Sequence, residues 1–248
     1  MLVNDMDIPR EDIESLIRDK YEGDRFVDLT SDIERLRRGE PLAYVIGWIP
    51  FLDLHIDLTS KPLIPRTETE WWTEQLIQHL QETNGDTPFS LLDLCAGSGA
   101  IGLAVLSTFP HATVTFSELV PAHGEQIIQN AAINGIDASR VDVRVGNVFE
   151  PIGTDTFDII ATNPPYIPSD RTLEDTLSFE PSEALYSGSS GMDVITRICT
   201  EAQDHINLNG ELWMECDVSN IEMAQALIPG STIRTDQYGR PRVLVGYF

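Results

Sequence analysis

Lysine is nearly missing from this chain. Among 248 residues only Lys20 and Lys61 occur, and 16 basic residues in all face 40 acidic ones, for a net charge of −24. Non-specific grip on a phosphate backbone needs clustered Lys and Arg that displace counterions, and a field of this sign repels nucleic acid at a distance. Direct nucleic-acid binding is therefore not expected, and the acidity reads most simply as a solubility device. A long apolar run is lacking as well. The most apolar stretch, Phe89 to Phe109, is broken by Asp93, Gly97, Gly99 and Gly102, whereas a bilayer span takes ~20 consecutive apolar residues, so no membrane partner is expected. The opening MLVNDMDIPREDIES has no apolar core of a secretory signal and is too acidic for a transit peptide. Cysteine is sparse: Cys95, Cys199 and Cys216 are odd in number and far apart, which excludes a fully paired framework and fits a reducing compartment. His55, His79, His111, His123 and His205 show no metal-ligand spacing; they read as surface or satisfied core residues, with no metal expected.

The rest of the sequence has a clear order. Apolar positions at helical spacing mark segments near 10–20 and 31–38, too small a unit to stand without packing on the remainder of the chain. Residues 43–58 read as extended, with Ile49-Pro50 interrupting a hairpin or bent edge pair. Thr67 followed three residues later by Glu70 is a capping-box pattern, so a helix is expected over about 68–82. From residue 89 strands and helices alternate: strand 89–94, helix 99–108, strand 113–116, helix 121–133, strands 141–145 and 157–161, a helix near 191–207 stopped by Asn209-Gly210, and strand 211–215. Residues 231–235 and 242–247 close the chain as an antiparallel pair. Repeated strand–helix units imply an α/β, doubly wound, mostly parallel sheet covered on both faces. The chain thus divides into three regions: a short helical part over 1–42, a hairpin and linker over 43–66, and the doubly wound domain over 67–248.

Two loops carry the chemistry. Asp93-Leu94-Cys95-Ala96-Gly97-Ser98-Gly99 leaves the first strand of this unit and opens a helix, where glycines let a ligand approach the backbone outside the carboxyl ends of the strands. Glu118, ending the next strand, suits the two hydroxyls of a ribose. The spacing lacks the last glycine of the dinucleotide fingerprint, which disfavours NAD; a ligand-free tight turn is the other reading. Asn163-Pro164-Pro165-Tyr166 follows the apolar run Ile159-Ile160-Ala161. Two prolines fix φ twice and remove two donors, leaving a stiff loop of carbonyl oxygens, a carboxamide and an aromatic ring. Such groups suit a planar NH2, its two protons taken by two acceptors and its flat face covered by the ring, although a purely structural turn is also consistent with them.

Together these motifs resemble class I methyltransferases that act on planar nitrogens, in which N/D-P-P-Y/F is the signature. Further segments are similar to those of one family, the peptide chain release factor N5-glutamine methyltransferases of bacterial and organellar type. Leu63-Ile64-Pro65-Arg66-Thr67-Glu68-Thr69-Glu70 resembles its I-P-R-x-E-T-E segment. Glu40-Pro41-Leu42-Ala43-Tyr44-Val45-Ile46-Gly47 with Phe51 resembles the stretch before it. Phe179-Glu180-Pro181, Ala184-Leu185, Gly188 and Gly191 resemble the region after the N-P-P-Y loop. The likeness covers about residues 31–248.

It implies a seven-stranded sheet, S-adenosyl-L-methionine as methyl donor, and methylation of the glutamine of a Gly-Gly-Gln motif in a class I peptide chain release factor, the expected protein partner. The implied cofactor residues are Cys95, Ala96, Gly97, Ser98, Gly99, Glu118, Asn147, Val148 and Asn163. Asn163 and the carbonyl of Pro164 would accept the substrate N–H bonds, Tyr166 would help wall the pocket, and Pro165 would stiffen the loop. The helical region 1–42 would be the candidate docking site for the release factor, in a cytoplasmic setting or else a mitochondrial matrix or plastid. DNA adenine-N6 methylation and glutamine methylation of a ribosomal protein are the alternatives. The sequence departs from the family pattern at Cys95-Ala96, where Gly-Thr or Gly-Cys is usual, at Glu118 and Asn147, where Asp is commoner, and in its shorter N-terminal region. Cys95 in a left-handed conformation would store strain on the order of 1 kcal/mol.

Overall fold

A computed structural model describes residues 8–172 and 175–248; the first seven residues of the helical region expected over 1–42 lie outside the described residues. The chain begins with helices α1 (Arg10–Lys20) and α2 (Thr30–Arg37), then a short α3 (Leu42–Ile46) and the antiparallel strands β1 (Trp48–Phe51) and β2 (Leu54–Asp57). Residues 42–46 are thus helical, not extended. Pro41, at φ −55 and ψ 138, stands just outside the turn with its φ preset by the ring, and Gly47 at φ 102 ends it. Tyr44 then donates its hydroxyl to the Pro62 carbonyl at 2.6 Å.

Both lysines fasten this region. Lys20 meets Asp32 at 2.8 Å and Lys61 meets Glu40 at 2.9 Å, while Arg35 holds the other side of Glu40 at 2.8 Å. Arg35 and Lys61 pull the Glu40 carboxyl down to about 2, against the opposing effect of burial. The Trp48 indole donates to the Asp19 carbonyl at 3.0 Å, which fixes α1 against the hairpin.

Helix α4 (Thr67–Thr83) carries no side-chain cap. Glu70, expected to close a capping box, instead accepts the backbone N–H of Leu52 in the hairpin turn, where Leu52 sits at φ 50. The alternating part comes next: β3 (Ser90–Leu94), α5 (Ala100–Thr108), β4 (Thr113–Glu118), α6 (Pro121–Ile133), β5 (Val141–Val145), β6 (Phe157–Thr162), α7 (Ser182–Leu185), α8 (Asp193–Glu201), β7 (Ile206–Glu215), α9 (Ile221–Leu227), β8 (Thr232–Thr235) and β9 (Pro241–Tyr247). Seven strands form one sheet in the order β5-β4-β3-β6-β7-β9-β8. All neighbours are parallel except β7–β9 and β8–β9.

One expectation fails here. Asn209-Gly210 does not stop a helix: α8 ends at Glu201, and β7 runs through the pair with Asn209 at φ 66. A Cβ on Gly210 would lie 2.7 Å from the Asp158 carbonyl oxygen, so the glycine serves strand packing. Helix α9 is not among the expected elements; it buries only Ile221 and Ala224, too few positions to show a helical period.

Apolar side chains pack on both faces of the sheet. Trp72, Leu76, Leu80, Leu103 and Phe116 lie in one cluster, and Leu92, Ile160, Ile195, Ile198 and Leu212 in the other. Gly102 lets α5 approach β4, since a Cβ there would meet the Phe116 ring at 2.5 Å. No helix among the described residues is long and apolar enough to cross a membrane.

Candidate active site

β3 and β6 are parallel neighbours with Leu94 beside Thr162, so the loops leaving their carboxyl ends emerge side by side. β4 and β5 lie to one side of β3, β6 and β7 to the other; such a switch point opens a crevice in a doubly wound sheet. A cleft open to solvent occupies it. Its wall brings together Cys95, Ala96, Gly97, Ser98, Glu118, Asn147, Val148, Asn163 and Pro165. Gly99, Pro164 and Tyr166 are not in that wall. Gly99 stands behind it at φ 79, where a Cβ would press on Ile127 at 3.0 Å. Pro164 is buried, and Tyr166 packs on the cluster around Leu92 and Ile160.

The glycine loop is shaped by Glu118. One carboxylate oxygen accepts the Gly97 N–H at 2.7 Å and the other the Val120 N–H at 2.9 Å. Burial pushes the Glu118 pKa up, and the N–H donors of Val120, Gly97 and Leu119 draw it back. Cys95 does take a left-handed conformation, at φ 59, and so does Val148, at φ 53. A β-branched residue there stores on the order of 1–3 kcal/mol. The Ser117 hydroxyl holds the strained segment by donating to the Val148 carbonyl at 2.6 Å. Burial raises the Cys95 thiol to about 12, so it lines the cleft as a small apolar group and not as a nucleophile.

Asp93 lies beneath the loop, fully buried, with one oxygen accepting the Gly102 N–H at 2.9 Å and the other unpaired. Burial moves its pKa from 3.8 to about 8. The folded state therefore holds a proton that the unfolded chain releases. The stability this group contributes is full below pH 3.8 and is lost as pH climbs to about 8, on the order of 1 kcal/mol per pH unit. Asp93→Asn keeps an acceptor for Gly102 and cannot ionise. Urea unfolding at several pH values should give the variant the flatter profile; parallel profiles would remove Asp93 as the cause.

Residues 180–184 return to the cleft. Glu180 accepts the Ile64 N–H at 3.0 Å and pairs with Arg66 at 2.6 Å, which gives Arg66 a partner that its sequence position does not reveal. This clasp accompanies Pro181, Glu183 and Ala184 in the same cleft wall as Leu63 and Pro65. Gly191 makes this return possible, because a Cβ would lie 2.3 Å from the Tyr166 carbonyl oxygen.

Sequence reasoning missed three polar groups here. His123, expected to be a surface or satisfied residue, lines the cleft with Nδ1 at 2.9 Å from the Ser60 hydroxyl and a buried, unpaired Nε2. Burial lowers its pKa. Thr69 also lines the cleft, and its hydroxyl accepts the Asn163 Nδ2–H at 3.1 Å. Glu215, at the end of β7, accepts from Thr69 and from the Trp72 indole, each at 2.7 Å. No spacing rule links residues 69, 163 and 215; they meet only through the packing of α4 beside β6 and β7.

A strained backbone loop with free space before it, a buried carboxylate and a carboxamide at one switch point suit a nucleoside-bearing methyl donor beside an amide. Comparison with known proteins agrees. Residues 66–178 match the family model of the methyltransferase small domain. The fold is similar to a methyltransferase from Pyrococcus furiosus, with a TM-score of 0.57 at 15% identity over 88% of this chain and 98% of that one. Release factor glutamine methyltransferase of Lactococcus lactis is 29% identical over 93% of this chain and 86% of its own. That of Xylella fastidiosa is 34% identical over 86% of this chain and 78% of its own. With cleft, loops and relatives in accord, the chain belongs to the release factor glutamine methyltransferase family.

Proposed function

We propose that the cleft binds S-adenosyl-L-methionine and receives the glutamine side chain of the Gly-Gly-Gln motif of a class I release factor, whose N5 nitrogen is methylated. The observation that carries this reading is the position of Asn163, in the cleft wall with the glycine loop and Glu118. Glu118 would accept the ribose hydroxyls, Asn147 and Val148 would flank the adenine, and Cys95 to Gly99 would supply the close-fitting backbone. When bound, the donor supplies a methyl group already activated on a sulfonium.

The protein's task is alignment. An amide nitrogen is a weak nucleophile because its lone pair is delocalised into the carbonyl. The Asn163 oxygen, and the backbone carbonyl of Pro164 although that residue is not itself in the cleft wall, would accept its two N–H bonds, fix its orientation and stabilise the positive charge that grows on it. Pro165 stiffens the loop, and Tyr166 supports it from the apolar cluster. The clasp of Glu180 on Arg66 holds the neighbouring Pro181 and Glu183 at the cleft wall. The acidic surface leaves nucleic acid no direct part, and the three free cysteines suit a reducing cytoplasm.

The test is transfer of label from S-adenosylmethionine to a class I release factor, and to the same factor with the Gln of its Gly-Gly-Gln loop changed to Ala. Label on the first alone is expected. Label on neither, but on adenine-containing DNA, would replace the substrate assignment.

A further inference from the structure

We infer that Thr69 and Glu215 are positioning residues for Asn163, forming with Trp72 a buried relay that decides which end of the Asn163 carboxamide faces the substrate. The inference rests on the role proposed for Asn163. The relay joins three remote parts of the chain: the first turn of α4, the loop after β6 and the last residue of β7. Thr69 is 4% exposed, Trp72 2% and Glu215 0%, so water does not compete for the two bonds to Glu215.

Donor and acceptor chemistry fixes the directions. An indole N–H can only donate, so the Glu215 Oε2 that meets Trp72 at 2.7 Å is an acceptor. Its other oxygen is buried without a partner, and in the ionised carboxylate both oxygens can only accept. Thr69 must then give its single hydroxyl proton to Oε2, at 2.7 Å. What its oxygen has left is lone pairs, and these require a donor from Asn163. The carboxamide therefore turns its NH2 to Thr69, at 3.1 Å, and leaves its oxygen free for the cleft.

The opposite rotamer would aim an NH2 at the NH2 of the substrate, donor against donor. Rotation of a carboxamide by half a turn changes its shape very little, so sterics alone hold it weakly. A hydrogen-bonded relay is what distinguishes the two ends.

The test is a double-mutant cycle on the full chain with S-adenosylmethionine and release factor. Thr69→Val removes the hydroxyl at constant shape and should lower kcat about 10- to 100-fold. The dissociation constant for S-adenosylmethionine, read by calorimetry, should change little, and Thr69→Ser should restore most of the rate. Added to Asn163→Ala, Thr69→Val should cost almost nothing more, because the group it positions is gone. Losses that multiply, or a Thr69→Val enzyme of normal rate, would overturn the relay while Asn163 kept its role. A near-normal Asn163→Ala enzyme would overturn both. Glu215→Gln retains an acceptor oxygen for Thr69 and Trp72 and should stay close to wild type, whereas Glu215→Leu should follow Thr69→Val.

Discussion

Asn163→Ala should cut turnover by about 10²- to 10³-fold, as removal of one oriented polar group from a preorganised site does. The loss should fall on kcat. Alanine cannot accept the substrate N–H, so the nitrogen is left with one fixed partner in place of two and can swing out of line with the methyl. Binding of the methyl donor should suffer less, since the glycine loop and Glu118 hold their places through Gly97 and Val120 without help from Asn163. Single-turnover assays at saturating donor, paired with calorimetric titration of S-adenosylmethionine, separate the two quantities. Near-normal turnover with intact donor binding would sink the assignment.

Glu118→Gln should weaken S-adenosylmethionine binding by about 10- to 100-fold, the range for a hydrogen bond to a charged group. A glutamine would ordinarily count as a mild change. Here both carboxylate oxygens already accept loop N–H groups, from Gly97 and from Val120, and an amide has only one oxygen. Its NH2 must therefore face a backbone N–H, and the loop has to shift away from it. The glycine loop and the ribose acceptor should fail together, with kcat at saturating donor affected far less than affinity. Titration with S-adenosylmethionine and with its demethylated product checks this. Unchanged affinity for both would show that Glu118 only shapes the turn.

The parallel sheet was legible in the sequence because its strands are short apolar runs with glycine loops and helices between them, such as Ser90–Leu94 and Phe157–Thr162. The two loops that meet at the cleft were legible for a related reason, since each stands at the end of such a run. What escaped was set by long-range partners. Tyr44 and Val45 have the composition of a strand, yet Pro41 and Gly47 bracket one helical turn that the Pro62 carbonyl holds through Tyr44. Glu70 has the spacing of a cap, but the strained amide of Leu52 claims it. Asn209-Gly210 looks like a stop and is a close contact between strands. Glu215 and His123 gave no local signal at all, because their hydrogen-bond partners come from remote parts of the chain.

The hairpin has one more effect, on how the protein behaves in a crowd. His55 and Asp57 turn their backbone groups away from β1, and α6 meets them with side chains. Asn134 donates to and accepts from His55 at 2.8 and 2.9 Å, and Asn130 does the same for Asp57 at 3.3 and 2.9 Å. Two asparagines thus imitate a neighbouring strand. An open ladder is a template on which foreign strands dock and aggregates grow. Here the outer rim of β2 has no vacant rungs at these positions, and the protein is guarded there against self-association without the lysines that commonly guard such rims.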